Sequence, residues 1–377
     1  MMDNNKVKKV IQNINKLAEN TRQDNINLME VCGTHTNSIA KYGIKNVISN
    51  KVKLLSGPGC PVCVTNEDYI DAAVQLASEG ITVITFGDLV RVKGHNCDLL
   101  TEKSKGRDVR IIYSISEIIN IAKAIYPKEI VFLAVGFETT APLIAALIKQ
   151  TYTSKINNLS FLTSIKIMLP ILEKILNTQN RNIDGIICPG NVAVISGGDS
   201  FKFIYEKYKV PSVICGFEAE DILGGIYFLV KYINKKNKGD NEVGFENLYR
   251  RFVSPKGNII AKRLLQDIFK VDDVVWRGIG NVENSALIIE DKYSKLDAVN
   301  RFKLKEYFNN KNHVVGSCRC RCGDVLMGNI YPFQCELFKK TCSPENPYGP
   351  CMVSQEGACS TYYKYNQLVI RKVNYNK

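Results

Sequence analysis

The chain has 377 residues, 45% of them hydrophobic and 23% charged, enough for two or three globular domains and unlike a disordered or fibrous chain. Its net charge of +13 does not mark a nucleic-acid binder, because the lysines are spread along the chain and the densest cluster, 231–242, reads as a solvated loop. No apolar run approaches the ~20 residues of a membrane span, and the start, MMDNNKVKKVIQNINKLAEN, lacks the apolar stretch of a secretory signal. A cytoplasmic protein without membrane or nucleic-acid partners is expected.

The first predicted element is an amphipathic helix over 4–20, with Val7, Val10, Ile11, Ile14, Leu17 and Ala18 on one face. Eight short apolar runs follow, at 26–33, 52–59, 81–88, 109–113, 129–138, 159–165, 184–191 and 211–218, most ending in Gly or a polar turn. Helical patterns lie between them, as at 69–80 and 141–152. Strands alternating with helices predict βαβ units, and near-continuous apolar strands predict parallel sheets covered on both faces.

The stretches 134–147 and 214–229 both read strand, Gly-Phe-Glu, apolar helix, which predicts two similar α/β units. In such sheets ligands sit beyond the carboxyl ends of the strands. Cys32, Cys60, Asp88, Glu138, Cys188 and Glu218 all fall at such ends, so two units facing each other would line one cleft with them. After about residue 236 the rhythm breaks: a helix is expected around 259–270, and the last block is rich in Gly, Pro and Cys.

Thirteen cysteines in a reducing compartment suggest metal ligands or reactive groups rather than staples. The pair in LLSGPGCPVCV, Cys60 and Cys63, allows a metal clip, a disulfide or a redox pair. At a strand-to-helix junction it would gain acidity from the helix N-terminus. Cys32 is the obvious third thiol for exchange with such a pair. A lone strand cysteine is usually a small buried hydrophobe. Here Gly33, Thr34 and His35 follow it, and His35 offers a group to polarise a thiolate or bind metal. Asp88, Glu138 and Glu218 offer carboxylates for ligand binding, helix capping or proton transfer. Cys97, Cys188 and Cys215 read as structural.

Seven cysteines crowd into 318–359. Two CxxC half-sites, the usual zinc pattern, are absent, and separate cysteines about 7 to 17 residues apart on Pro- and Gly-containing loops favour an iron–sulfur cluster over zinc or free thiols. Spacing alone does not select four of the seven.

Taken in order, MEVCGTHT (29–36), SGPGCPVCV (56–64), FGDLVRVKG (86–94), GFETTAP (136–142), CPGN (188–191), CGFE (215–218), VWRG (275–278), CGDVLMG (322–328) and PYGPCMVSQEGAC (347–359) resemble the HypD family of NiFe-hydrogenase maturation factors. The resemblance implies two Rossmann-like α/β domains facing a central cleft, here 24–126 and 127–236. It also implies a loop- and helix-rich 4Fe-4S domain over 237–377, with the helix of 1–23 packed on it. It implies a scaffold and redox participant, rather than a conventional turnover enzyme, in assembling the Fe(CN)2CO unit, working with a HypC-type chaperone and transiently with HypE. Cys32 is then the residue most directly linked to that iron, and Cys60 and Cys63 form a thiol relay. Cys322, Cys335, Cys342 and Cys359 hold the cluster. Cys320 and Cys351 fall on dispensable family positions, and Cys318 has no counterpart. Two family histidines are replaced, by Asn191 and Ile165, and only His35, His95 and His313 exist in the chain. The rival reading is an iron–sulfur-dependent thiol–disulfide oxidoreductase acting on a protein disulfide.

Overall fold

The computed structural model describes residues 4–179, 181–237, 239, 244–308 and 319–365. Each of the eight apolar runs contains a strand: β1 (Ile26–Glu30), β2 (Val52–Ser56), β3 (Thr82–Phe86), β4 (Val109–Ile112), β5 (Ile130–Gly136), β6 (Leu159–Lys166), β7 (Gly185–Cys188) and β8 (Ser212–Ile214). Every residue of β1 and of β5 is buried, as a strand covered on both faces requires. Three more strands complete two sheets: β9 (Phe245–Asn247), β10 (Phe269–Trp276) and β11 (Gly280–Ile289).

One sheet runs β2–β1–β7–β8–β9 and is parallel throughout. The other runs β10–β11–β6–β5–β3–β4, parallel from β6 to β4, with the antiparallel hairpin β10–β11 at its edge. This is the expected α/β class, and the Gly-Phe-Glu turns fall one after β5 and one after β8.

The contiguous boundaries 24–126 and 127–236 do not follow these sheets. The chain passes to the second sheet after β2, returns after β6 and leaves again after β9. An apolar run establishes that a strand exists. Which strand lies beside it depends on crossovers between segments far apart in sequence, and here β7, not β3, pairs with β1.

The N-terminal helix, Asn4–Glu19, is a second correction. Its apolar face packs on the helix Ala219–Lys236, where Ile14 and Ala18 join Ile226, Leu229, Val230 and Ile233 in one core. Asn234 Nδ2 adds a hydrogen bond to the Leu17 carbonyl at 3.0 Å. The helix therefore belongs to the first sheet's outer layer rather than to the terminal block.

Strands after residue 236 are also unexpected from the sequence. β10 is a half-exposed edge strand carrying Asp272 and Asp273, which hide its apolar residues. The turn to β11 uses Gly278 and Gly280 at φ +73° and +92°, open to glycine. Trp276, at the end of β10, is fully buried, stacks on Phe137 with centroids 5.9 Å apart and donates its indole N–H to Ser285 Oγ at 2.8 Å. One apolar cluster then joins both sheets to the terminal block, since Met29, Leu55, Met168 and Trp276 pack in it with Cys60, Cys63, Cys322 and Cys351. No helix among the described residues is long and apolar enough to cross a membrane.

Candidate functional site

The parallel register of β1 and β2 pairs Glu30 with Ser56, so the two strands end level and their loops meet. Cys32 is the extended residue preceding the helix Gly33–Lys41. The Gly-Pro-Gly loop after β2 folds over it: Gly57 N–H donates to the Glu30 carbonyl at 2.6 Å, and Gly33 N–H donates to the Gly59 carbonyl at 3.1 Å. A Cβ on Gly59 would lie 2.4 Å from the Cys32 Cα and N, well inside contact distance. Only glycine permits this approach. Gly59→Ala is therefore expected to destabilise the protein by about 2 kcal/mol or more, the scale of overpacking in a tight core, and to displace Cys32. Urea unfolding measures the first effect, and a changed rate of alkylation of the Cys32 thiol the second.

Burial pushes the Cys32 thiol up to about 12; the N–H groups of His35 and Thr34 oppose this, and the charge of Glu30 adds to it. Glu30 is itself buried, accepts from Cys32 N–H at 3.0 Å and from Thr36 Oγ1, and is pushed up to about 8 by burial. Cys32 is therefore a thiol at neutral pH.

The expected help from His35 is not electrostatic. Burial lowers His35 to about 4, so its ring is neutral. Its Nε2 lies 3.0 Å from the Gly216 carbonyl and 3.7 Å from Cys215 Sγ, and the ring packs on Phe217, so it ties the start of this helix to the second Gly-Phe-Glu turn.

Cys60 and Cys63 are joined as a disulfide, and both are buried. Cys63 N–H donates to Cys60 Sγ at 3.1 Å, and Cys63 Sγ lies 4.0 Å from the Pro350 carbonyl. The following helix does not begin at the pair. It spans Glu67–Ser78, and its end is capped by Asn66, which accepts from Glu67 N–H. The acidity expected from a helix N-terminus is therefore replaced by one backbone donor, Cys63 N–H.

The carboxylates separate in space. Asp88 accepts from Ser354 Oγ at 3.0 Å and from Gln355 N–H at 3.4 Å, clasping the terminal block. Glu138 is buried; its Oε1 accepts from Met168 N–H at 2.8 Å, its Oε2 has no hydrogen-bond partner, and burial raises it to about 7. Glu218 accepts from Tyr42 OH at 2.8 Å near the surface. Of the two replaced histidines, Ile165 is a core residue of β6 and Asn191 is exposed at the start of the helix Gly190–Ser196. Burial pushes both the Cys188 and the Cys215 thiol upward; Cys215 adds to the rise at Cys188, and Asp221 and Cys32 add to that at Cys215.

The terminal cysteines converge. Cys320, Cys322, Cys335, Cys342, Cys351 and Cys359 line one small, tightly closed cavity. Cys335, Cys342 and Cys359 are free thiols there, and Tyr348 N–H donates to Cys342 Sγ at 3.3 Å. Burial, then the neighbouring Cys342 and Cys335, push the Cys359 thiol upward. Cys322, expected as the fourth ligand, is joined to Cys351 in this structure, and Cys320 lines the same wall. The donor set, several thiols around one largely apolar cavity, fits a thiolate-held iron–sulfur cluster, with Cys322 available once its bond to Cys351 is reduced. Cys318 lies outside the described residues.

Sequence reasoning missed Glu30, Lys45 and Tyr362. Lys45 Nζ donates to the Leu54 carbonyl at 3.1 Å and to Tyr362 OH and lies 4.3 Å from the Tyr362 ring centroid. With Glu30, Thr36 and Ser56 they line one small pocket. The available signal was a carboxylate in an otherwise apolar strand, INLME.

The family model described as HypD, hydrogenase formation hypA family, matches residues 5–366. A protein of Methanocaldococcus jannaschii named for hydrogenase expression and formation is 40% identical over 362 residues, covering 96% of this chain and 98% of that protein. Hydrogenase maturation factor HypD of Escherichia coli is 37% identical over 349 residues, covering 92% and 91%. Hydrogenase maturation factor HypD2 of Bradyrhizobium diazoefficiens is 38% identical over 348 residues, covering 90% and 89%.

Proposed function

Since the chain belongs to the HypD hydrogenase formation family, we propose that it is a cytoplasmic scaffold and thiol-redox participant on which the Fe(CN)2CO unit is assembled, with a HypC-type chaperone and, transiently, HypE. The observation that carries this reading is the contact between Gly33 N–H and the Gly59 carbonyl. It sets the Cys32 backbone against the loop that delivers Cys60 and Cys63, and Cys63 in turn abuts Pro350 beside the cysteine-lined cavity. Three cysteine-bearing segments therefore follow one another through contacts of their backbones.

The residues divide the work. Cys32 holds its proton until iron, the cargo, displaces it, and the N–H groups at the start of its helix then stabilise the thiolate. Cys335, Cys342 and Cys359, with Cys322 in its reduced form, hold a 4Fe-4S cluster. When bound, such a cluster supplies single electrons at low potential. Cys60 accepts the Cys63 N–H bond and is the member of its pair best suited to carry negative charge. Glu138 and Asp88 position the turns around these groups rather than facing cargo directly.

The rival, an oxidoreductase acting on an external protein disulfide, requires a sulfur that a partner can reach. Cys60 is 2% exposed and Cys63 0%, which leaves a protein-sized partner no sulfur surface to dock on. Anaerobic co-purification with the small chaperone, followed by infrared spectroscopy, tests the proposal. CO and CN bands on the complex are expected. Turnover of protein disulfides by the isolated chain, with no such bands from the complex, would favour the rival.

A further inference from the structure

Resting on the reading that Cys60 and Cys63 work as a redox pair, the structure assigns to Lys166 the role of their buried counter-charge. Its amine takes up a proton when the disulfide is reduced and releases it when the disulfide reforms.

Lys166 ends β6 and is 1% exposed, one of the largest fully buried side chains in the protein. Its Nζ makes one hydrogen bond, to Ser164 Oγ at 3.2 Å, and lies 5.8 Å from the centroid of the Trp276 ring. Among the described residues it has no ion-pair partner, so two of the three donors of an ammonium would go unused. An unpaired ammonium at this depth is costly, and burial lowers the amine to about 7. A lysine of that kind persists where a charge appears only in part of a cycle.

The polar line from Lys166 leads to the cysteine turn. Ser164 Oγ lies 3.3 Å from Thr65 Oγ1, and Thr65 Oγ1 donates to the Pro61 carbonyl at 2.9 Å. With Thr65 donating onward, Ser164 donates to Thr65 and accepts from Lys166. All the hydrogens then point from the amine to the turn between the two cysteines. Trp276, under the amine, shares one apolar cluster with both cysteines.

The other titratable groups packed here are committed or uncharged. Arg277, whose N–H donates to the Val64 carbonyl at 3.0 Å, is paired with Glu67 at 2.8 Å and donates to the Lys93 carbonyl at 2.7 Å. Glu138, bonded to the Met168 N–H, is raised by burial to about 7. Lys166 is therefore the cation that hydrogen bonds join to the turn carrying Cys60.

The step balances with a dithiol as reductant. The dithiol delivers two electrons and two protons and leaves as its own cyclic disulfide, and the Cys60–Cys63 bond breaks. One proton stays on Cys63 Sγ, which faces the Pro350 carbonyl, and the other ends on Lys166 Nζ. Cys60 is left as a thiolate that accepts from Cys63 N–H.

The test is equilibration of the full-length protein with mixtures of reduced and oxidised dithiothreitol at pH 7. Acid quenching, alkylation and mass spectrometry of the peptide carrying both cysteines give the equilibrium constant. In wild type, thiolate absorbance in the ultraviolet is expected on reduction. Lys166→Met is expected to make the pair at least tenfold harder to reduce and to abolish that absorbance, whereas Lys166→Arg retains it. Ser164→Ala, which keeps the amine but cuts the line, provides a smaller loss and a second readout should Lys166→Met fail to fold. An unchanged constant and unchanged absorbance in folded Lys166→Met, or in Ser164→Ala if only that variant folds, overturns the assignment. A wild-type pair that never responds to the buffer overturns the redox reading itself, and the assignment with it.

Discussion

Replacing Cys32 by alanine is expected to abolish the CO and CN infrared bands of the chaperone complex while leaving the visible absorbance of the iron–sulfur cluster intact. The two outcomes separate because the two sulfur sites are built independently. Cys32 stands at the end of β1 on the first sheet, and the cysteine cavity is walled by residues 320–359. The substitution removes one sulfur from a well-packed site, so folding stability falls by only about 1–2 kcal/mol. Iron, by contrast, loses its one proposed protein thiolate here, and affinity is expected to drop by well over a hundredfold. Cys32→Ser should fail equally, since a hydroxyl does not ionise on iron as a thiol does. Persistent bands in either variant would remove Cys32 from the iron site.

Cys342→Ser is expected to eliminate the cluster and to loosen residues 319–365 while both sheets remain folded. The apolar cluster that belongs to this block alone is small: Leu337, Phe338, Met352 and Tyr362 are its buried members besides Cys342, while Cys322, Leu326 and Cys351 pack in the core shared with the sheets. Short helices and turns around such a core depend on cross-linking for their order. Removing the ligand should cost the block several kcal/mol, read as fast amide exchange across 335–362 with slow exchange retained in β5 and β6. Cys97→Ser is the control. Its sulfur is only half-buried and contacts the Asp98 carbonyl and Glu102, so iron content and exchange should be unchanged. Undiminished iron in Cys342→Ser would show that other sulfurs hold the metal.

The elements that were legible and those that were not differ by the range of the forces that decide them. β1 to β8 could be read because a strand buried on both faces must be apolar over its length, a local property. Their order could not, because β1 chooses between β3 and β7 only through packing that closes long loops. β10 was obscured by Asp272 and Asp273 on an exposed edge. The motif residues were legible as a set, but not their partners. His35 seemed placed to act on Cys32, yet its ring nitrogen lies against Gly216 and Cys215, a contact spanning about 180 residues. The helix after Cys63 was misplaced, although Asn66 followed by Glu67 and Asp68 is a local capping signal that places its start. Glu30 and Lys166 were legible in principle, as charges at the ends of apolar strands, but composition gives no reason to prefer them over surface charges.

The interleaving of the two sheets bears on how the protein is made. Because β7 to β9 complete the sheet that β1 and β2 begin, and β10 and β11 complete the one built on β3 to β6, neither sheet closes early in synthesis. The first must wait for residue 247 and the second for residue 289. Contacts of such sequence separation make folding slow and keep both halves waiting on the ribosome for their partners. The thiols at Cys32, Cys60 and Cys63 emerge first, and the cysteines of the terminal block last. A nascent chain therefore displays these sulfurs before the walls that bury them exist, so the sulfur sites are completed only after both sheets have closed.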